Sequence, residues 1–592
     1  MVKEEFPYLS KVSSPADVKA MDADQLNGLV ADIRKALLLK LSRHGGHVGP
    51  NLGMVEATIA LHRVFNSPAD KLVWDVSHQS YTHKMLTGRA EAFMSPEHYD
   101  DVTGYTCPWE NEHDLFEIGH TSTSVALATG LAKARDLAGG RENVIAVIGD
   151  GSLSGGEAYE GLNMAAELGT NIIIVVNDNE MSIAENHGGY INNLNLLRAT
   201  QGKAECNMFK ALGFDYLYVE QGNDIDALTA AFQQVKDTAK PTVVHIHTLK
   251  GKGYEPAEQR KEEFHWHMPW NLATGRSDDN DNSENYSDIT ANFLLGAMKR
   301  DPKLVAISAA VPTIMGFTPE RRAQAGKQYV DVGIAEPEAV AMSSGLAKAG
   351  AHPVFGTASS FFQRTYDQLS QDVCINRSPA TFIVAAGTVL GMNDVTHLGF
   401  FDIPLISNIP NMVYLAPTTA EEYLAMLQWS IGQNQNPVAI KLPGGPVRHS
   451  QGKVQADYSQ LNQYEVTRRG SRVALLGLGT FHHLATEVAG ALKQQLGVDA
   501  TVVNPRFITG LDTALLNSLK ADHQIVVTIE DGQLDGGFGE KVARYYGSTA
   551  VRVLNYGLKK EFVDRYDYAA ILSQNRLTAP QITADVAALL AK

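Results

Sequence analysis

Cysteine is scarce: Cys107, Cys206 and Cys374 are the three thiols in 592 residues. They form neither a disulfide framework nor the paired spacing of a zinc site, so each reads as a buried or incidental thiol. No apolar run reaches the roughly 20 residues needed to cross a bilayer. The opening MVKEEFPYLSKV has no apolar signal core. The expectation is a cytoplasmic protein with no membrane partner. Basic blocks are also missing and the net charge is −16, which argues against nucleic acid as a partner. What is present is an ordinary α/β composition, with 44% hydrophobic and 20% charged residues and 51 glycines. The chain is too long for one core, so three or four domains are expected.

The most informative stretch is 144–183, VIAVIGDGSLSGGEAYEGLNMAAELGTNIIIVVNDNEMSI. Runs 144–148 and 172–176 have strand length. Residues 157–168 have helical spacing, and Gly169 suits the position after a helix end. A strand–helix–strand unit predicts two parallel neighbours in a buried sheet. Both strands end in polar groups, Gly149-Asp150-Gly151 and Asn177-Asp178-Asn179. Ligands of open α/β sheets bind at the carboxyl ends of strands, so Asp150 and Asn179 are expected to converge. Their oxygens suit a hard cation such as Mg²⁺. The glycines let backbone approach a phosphate, and the helix beyond offers unpaired N–H groups. GDG alone is better explained as a plain polar turn; the paired Asn makes the pattern more specific.

Residues 1–130 read as helical and loop-rich, ahead of the sheet, with helical spacing over 22–41. Three segments there set a histidine beside small or hydroxyl residues: His47 in GGHVGPNLG, His78 in WDVSHQ and His120 in GHTSTS. A single histidine is better explained by a structural role. Three such segments suit a diphosphate and a carboxylic acid. Residues 276–285, RSDDNDNSEN, are polar and aperiodic and read as a linker. Helical spacing over 289–300 and a strand at 304–308 follow. In VDVGIAEPEA, Glu336 is expected to close a strand and stand at a helix N-terminus, where Pro337 is tolerated. A bare glutamate there is also explained by the helix dipole. From residue 463, expected strands at 473–478, 500–504, 525–530 and 551–554 alternate with helices. This part carries no catalytic motif and reads as a packing or oligomerising domain.

Taken together, GGHVGPNLG, WDVSHQSYTHKMLTGR, GHTSTS, GDG with NDNEMSI, and KGKGYEPAE resemble the 1-deoxy-D-xylulose-5-phosphate synthase family of transketolase-like enzymes. The resemblance runs through nearly the whole chain. It implies three α/β domains, each a mainly parallel sheet with helices on both faces. Residues 1–275 would bind diphosphate and metal, 286–455 would bind the pyrimidine, and 463–592 would be transketolase C-terminal-like. The implied cofactors are thiamine diphosphate and Mg²⁺, with Asp150, Asn179 and the backbone carbonyl of Met181 as metal ligands. His78, Gly119, His120, Thr121, Ser122, Gly149, Gly151, Ser152, Asn179, Met181, Lys250 and Phe361 would contact the cofactor. A lysine on a glycine turn is ordinarily solvated; by resemblance Lys250 reaches the diphosphate. Glu336 would bond to N1′ of the aminopyrimidine, Arg364 would face the substrate, and His47, His265 and His397 would exchange protons with the acceptor. The implied reaction decarboxylates pyruvate and joins the two-carbon unit to an aldehyde such as glyceraldehyde 3-phosphate. A related acyloin-forming or ketol-transferring enzyme with another acceptor, and a catalytically silent homologue, stay open beside it. The implied assembly is a homodimer acting on small molecules.

Several positions depart from the family pattern. A long segment that usually follows NDNEMSI is shortened between Asn192 and Met208; segments of that kind are often lids. AEPE stands for the usual AEQH, and Ala358 for a tyrosine. Ala386 and Gly444 occupy the places of two phosphate-binding arginines, and Asn393 that of an aspartate. Lys441 and Arg448 lie close in sequence as replacement cations.

Overall fold

A computed structural model describes residues 2–277 and 283–591; residues 278–282 of the expected linker lie outside the described residues. The chain divides into two compact units, 1–282 with 333–335, and 283–332 with 336–592.

The first unit is built on a five-stranded parallel sheet in the order Lys71–Trp74, Val144–Gly149, Ile173–Asp178, Thr242–His247, Asp215–Val219. Successive side chains of a strand face opposite sides. Val144, Ala146 and Ile148 accordingly pack with Val125 and Ala128 of helix Ser124–Leu137 and Leu162 of helix Gly156–Leu168. Ile145 and Val147 pack on the other side with Leu61 of helix Val55–Val64 and Phe232 of helix Ile225–Val235. Burial on both faces is why these strands read as continuous apolar runs rather than alternating ones. Helix Gly156–Leu168 ends on Gly169, whose φ of 60° is left-handed. Helix Ala23–His44 starts on Asp22, whose carboxylate accepts from Gln25 N.

The sheet begins earlier than expected. Strand Lys71–Trp74 lies inside the stretch read as helical and loop-rich. Only Leu72, Val73 and Trp74 mark it, too few for periodicity to distinguish a strand from a loop. The shortened segment closes through helix Gly189–Ala199 and helix Met208–Ala211. Asn193 ties their junction, donating from Nδ2 to Cys206 O and accepting from Met208 N.

The second unit holds two sheets. One has six parallel strands in the order Val413–Leu415, Val438–Lys441, Thr381–Ala385, His352–Ala358, Leu304–Ser308, Tyr329–Asp331. Ile307, Phe355 and Phe382 pack on one face against Ala339 and Val340 of helix Glu336–Lys348. Ala306, Val354 and Ile383 pack on the other against Leu294 of helix Tyr286–Met298 and Leu427 of helix Ala420–Gly432. The remaining sheet has the order Glu465–Arg468, Thr501–Asn504, Arg472–Gly477, His523–Gln533, Arg552–Leu558, parallel except at Glu465–Arg468. That edge strand was not among the expected ones; EVTR has no apolar run to announce it. Helices His482–Leu496 and Ala579–Leu590 cover one face through Val488 and Val586, and helix Phe538–Tyr546 the other through Val542. The three mainly parallel sheets with helices on both faces match the fold class expected from the sequence.

Candidate active site

In the first unit, strands Val144–Gly149 and Ile173–Asp178 pair in register, Gly149 opposite Asn177. Their carboxyl ends therefore lie side by side, and Asp150 N donates to Asn177 O. Asp150 Oδ1 accepts from Gly151 N at 2.9 Å, and Oδ2 accepts from Asn186 Nδ2 at 2.8 Å. Asn179 Oδ1 accepts from Met181 N at 3.2 Å in a turn where Glu180 takes a φ of 68°. Gly151 is needed there: a Cβ on it would lie 2.7 Å from Ser182 Cβ. Burial drives the Asp150 carboxyl well above its ordinary pKa, the neighbouring Asp178 pushes the same way, and Lys250 offsets part of the effect. A buried carboxyl beside a second one is a place where a cation is stabilising. The available donors are one carboxylate, one amide oxygen and one carbonyl, an all-oxygen set of the kind Mg²⁺ takes. Among the described residues no three His, Cys, Asp or Glu side chains form a metal cage.

Asp178, the middle residue of the same motif, stands beside Asp150 and has further partners of its own. It accepts from Arg198 Nη1, and His245 Nε2 lies 2.9 Å away. His245 Nδ1 in turn meets the Tyr216 hydroxyl at 2.8 Å. Sequence reasoning passed over Asn186, Arg198 and His245, since each is a single polar residue with no motif around it.

Lys250 is 1% exposed, so the ordinary expectation of a solvated lysine does not hold for it. Its Nζ donates to Ser182 O at 2.5 Å and stands 3.1 Å from His265 Nδ1. Burial pushes the Lys250 amine down to about 7, partly opposed by Asp150. His265 joins His47 and His78 in a three-ring cluster with centroids 4.9, 5.6 and 5.2 Å apart. Burial holds the His265 ring well below its ordinary pKa, and Lys250 adds to the effect. Asn51 ties two of the histidine segments together, donating from Nδ2 to His47 O and to His78 O. Asn51 was legible only as part of GGHVGPNLG.

The Gly119–Ser122 loop is fixed by Asp75. Its two carboxylate oxygens accept from Ser122 N at 2.8 Å and Ser124 N at 2.9 Å. Ser122 has a φ of 77°, and its hydroxyl donates to Ser152 O at 2.8 Å. Thus Gly119, His120, Thr121 and Ser122 are carried on the loop that reaches the Gly151–Ser152 turn. His120 and Thr121 are half-buried there.

In the second unit, Glu336 is the first residue of helix Glu336–Lys348. It does not close a strand as expected: strand Tyr329–Asp331 ends before Val332–Ala335, where Gly333 has a φ of 76°. A glycine turn, rather than the strand itself, sets the helix start. Glu336 is buried, and its Oε2 has no hydrogen-bond partner among the described residues. Burial raises its carboxyl, with Arg364 acting in opposition. Strand His352–Ala358 runs directly into helix Ser359–Phe362, which presents Phe361. The Phe361 and His397 rings meet edge to face at 5.7 Å. Glu336 with Arg364, and Phe361 with His397, are therefore two neighbouring pairs.

The positions that depart from the family pattern also have a structure. Lys441 is buried and bonds to both carboxylate oxygens of Asp402, at 2.8 and 2.7 Å, and to Gly387 O. The Tyr414 hydroxyl donates to the same carboxylate. Lys441 is thus committed to an internal ion pair and is not the replacement cation that its sequence position suggested. A Cβ on Gly444 would lie 2.5 Å from Thr388 Oγ1, so Thr388 fills the space a side chain there would need. Arg448 is exposed.

Three family models match the chain in order. One described as 1-deoxy-D-xylulose-5-phosphate synthase covers residues 9–208 and 198–248. The transketolase pyrimidine binding domain covers 283–448, and the transketolase C-terminal domain covers 462–582. A 1-deoxy-D-xylulose-5-phosphate synthase of Symbiobacterium thermophilum is 39% identical, over 98% of this chain and 95% of its own. Another, from Geobacter metallireducens, is 37% identical over 98% of each. A solved transketolase from Campylobacter jejuni is 17% identical and covers 97% of this chain and 100% of its own, with a TM-score of 0.44.

Proposed function

This chain belongs to the 1-deoxy-D-xylulose-5-phosphate synthase family, and from that premise we propose that it decarboxylates pyruvate and joins the remaining two-carbon unit to an aldehyde. The family implies thiamine diphosphate as cofactor, which, when bound, supplies the nucleophilic carbon and the electron sink for loss of CO₂. Asp150, Asn179 and the Met181 carbonyl would hold Mg²⁺ against its diphosphate. Lys250, His78, Gly149, Gly151, Ser152 and the Gly119–Ser122 loop would bind the diphosphate itself. Phe361 would pack on the aminopyrimidine, and Arg364 would face the substrate. His47, His265 and His397 would move protons at the acceptor oxygen. Residues 1–275, 286–455 and 463–592 would be the diphosphate, pyrimidine and C-terminal domains. The proposed working form is a cytoplasmic homodimer. Among the described residues no helix is long and apolar enough to cross a membrane.

The observation that carries this reading is Glu336. A buried carboxyl with one unpaired oxygen is costly unless a partner satisfies it. The N1′ atom of an aminopyrimidine is a partner of the right kind, because a carboxyl whose pKa is raised can hold or share a proton there near neutral pH. A catalytically silent protein has no physical need for such a group. The direct test is pyruvate-dependent CO₂ release that requires added thiamine diphosphate and an aldehyde; binding of the cofactor without that release would overturn the proposal.

A second reading concerns the acceptor alone. The Lys441–Asp402 pair and the contact of Gly444 with Thr388 favour an acceptor whose charge is not read at these positions. The same assay, run over phosphorylated and plain aldehydes, separates the two.

A further inference from the structure

The loop between strand Thr381–Ala385 and helix Asp402–Ser407 carries His397. Within it, residues Val395–His397 make one tight turn that brings position 397 back onto Asp394. His397 N donates to Asp394 O, and His397 Nδ1 lies 3.0 Å from Asp394 Oδ1. The Thr396 hydroxyl lies 2.6 Å from the same carboxylate oxygen and 2.8 Å from the same ring nitrogen. Its single proton goes to the carboxylate, which leaves its lone pair toward Nδ1. Both oxygens facing Nδ1 are then acceptors, so that nitrogen carries the proton. Burial alone would raise the Asp394 carboxyl, but the His397 ring and the Thr396 hydroxyl outweigh it and hold it below its ordinary value.

The turn is held from outside by the last sheet's domain. Asp564 Oδ1 accepts from Val395 N at 3.1 Å, and Tyr566 O accepts from Asn393 Nδ2 at 3.0 Å. The two residues flanking Asp394 are thereby clamped, and Asn393 is spent on the clamp. The domain that carries no catalytic motif thus fixes the backbone from which Asp394 reaches His397.

We propose that Asp394 is a positioning residue for His397, fixing the ring with Nδ1 protonated so that Nε2 is the nitrogen that exchanges a proton with the acceptor oxygen. The inference rests on the reading of His397 as a proton-transfer group. Second partners of this kind orient an imidazole and set its tautomer, and their loss typically costs 10–100-fold.

The test uses the full chain loaded with thiamine diphosphate and Mg²⁺, comparing wild type with Asp394→Asn, His397→Gln and the double variant. An asparagine can turn its NH₂ toward Nδ1 and favour the other tautomer. The expected result for Asp394→Asn is a kcat in the acceptor-dependent reaction lower by about 10–100-fold. The acceptor KM, cofactor affinity and hydrogen–deuterium exchange at the cofactor C2 stay at wild-type values. The double variant is no slower than His397→Gln alone, because the two residues act as one unit. A rate equal to wild type for Asp394→Asn, or losses that multiply in the double variant, would overturn the inference. If the asparagine chain loses its cooperative thermal transition, Asp394→Glu and Asp394→Gln answer the same question at matched volume. The carboxylate is expected to be several-fold faster, and equal rates would overturn the inference. An unmutated chain with no acceptor-dependent turnover would overturn the enzymatic reading, and this inference with it.

Discussion

Lys250 Nζ stands 3.1 Å from Nδ1 of His265, and the carboxyls of Asp150 and Glu262 only partly offset its burial. An ammonium buried beside a neutral ring is poorly stabilised, and its pKa falls to about 7. A bound diphosphate stabilises the charged form and raises that value. Above pH 7 the loaded protein therefore binds more protons than the free one, and affinity for thiamine diphosphate falls as pH rises. Between pH 7 and 8.5 the expected loss is about tenfold, with little change below pH 7. Titration calorimetry in buffers of different ionisation heat should show proton uptake at pH 8. Lys250→Met should bind weakly and without that uptake. Uptake that persists in Lys250→Met would assign the proton to another group.

Asp150→Ala should lower cofactor affinity by about 10–100-fold, the worth of one charge-assisted interaction at 1.5–3 kcal/mol. The fold should persist, because the Asp150 side chain bonds to Gly151 N and Asn186 Nδ2 beyond the strand end and takes no part in the sheet's own pairing. The measurement is a thiamine diphosphate titration at several Mg²⁺ concentrations. Wild type should show a metal dependence that the variant lacks; an equal dependence in both would remove Asp150 from the metal site.

Asp75→Asn replaces one of two buried acceptors by an NH₂ that faces a backbone N–H. A buried donor left unpaired costs about 1–3 kcal/mol. The Gly119–Ser122 loop should show faster amide hydrogen exchange, with cofactor affinity reduced while the sheet's own amides stay protected. Loss of protection throughout the first unit would make Asp75 a general stability residue rather than the anchor of one loop.

Much of this was legible in the sequence where one chemical requirement acts over a short stretch. Residues 144–183 state two buried strands, a helix and its glycine stop, because burial on both faces demands unbroken apolar runs. The strand Lys71–Trp74 was not legible, since four residues cannot display a period. Glu336 was found, but its setting was not: the glycine turn at 333 that frees it from the preceding strand leaves no local pattern beyond the glycine itself. Lys441 misled for a different reason. Its partner Asp402 is distant in sequence, and pairing across such a distance is settled by tertiary packing. Asn186 and Asp394 were passed over because each acts through one or two side-chain hydrogen bonds, which no spacing announces.

The acceptor site yields a quantitative expectation. If the cations at positions 386 and 444 are absent without replacement, two charge-assisted contacts of about 1.5–3 kcal/mol each are lost, roughly 10²–10⁴-fold in phosphate recognition. The ratio of kcat/KM for glyceraldehyde 3-phosphate to that for glyceraldehyde should be small. Arg448→Ala should leave the ratio unchanged. A strong preference for the phosphate that Arg448→Ala abolishes would place the missing cation at Arg448.

The central claim is that Glu336 activates the cofactor, and hydrogen–deuterium exchange at C2 of bound thiamine diphosphate reports on it before any substrate is involved. Glu336→Gln keeps the size of the side chain and removes the carboxyl. The account predicts cofactor affinity within a few-fold of wild type and C2 exchange slower by about 10²–10⁴-fold, the usual worth of a general acid–base group. Exchange at the wild-type rate, with the cofactor demonstrably bound, would contradict it.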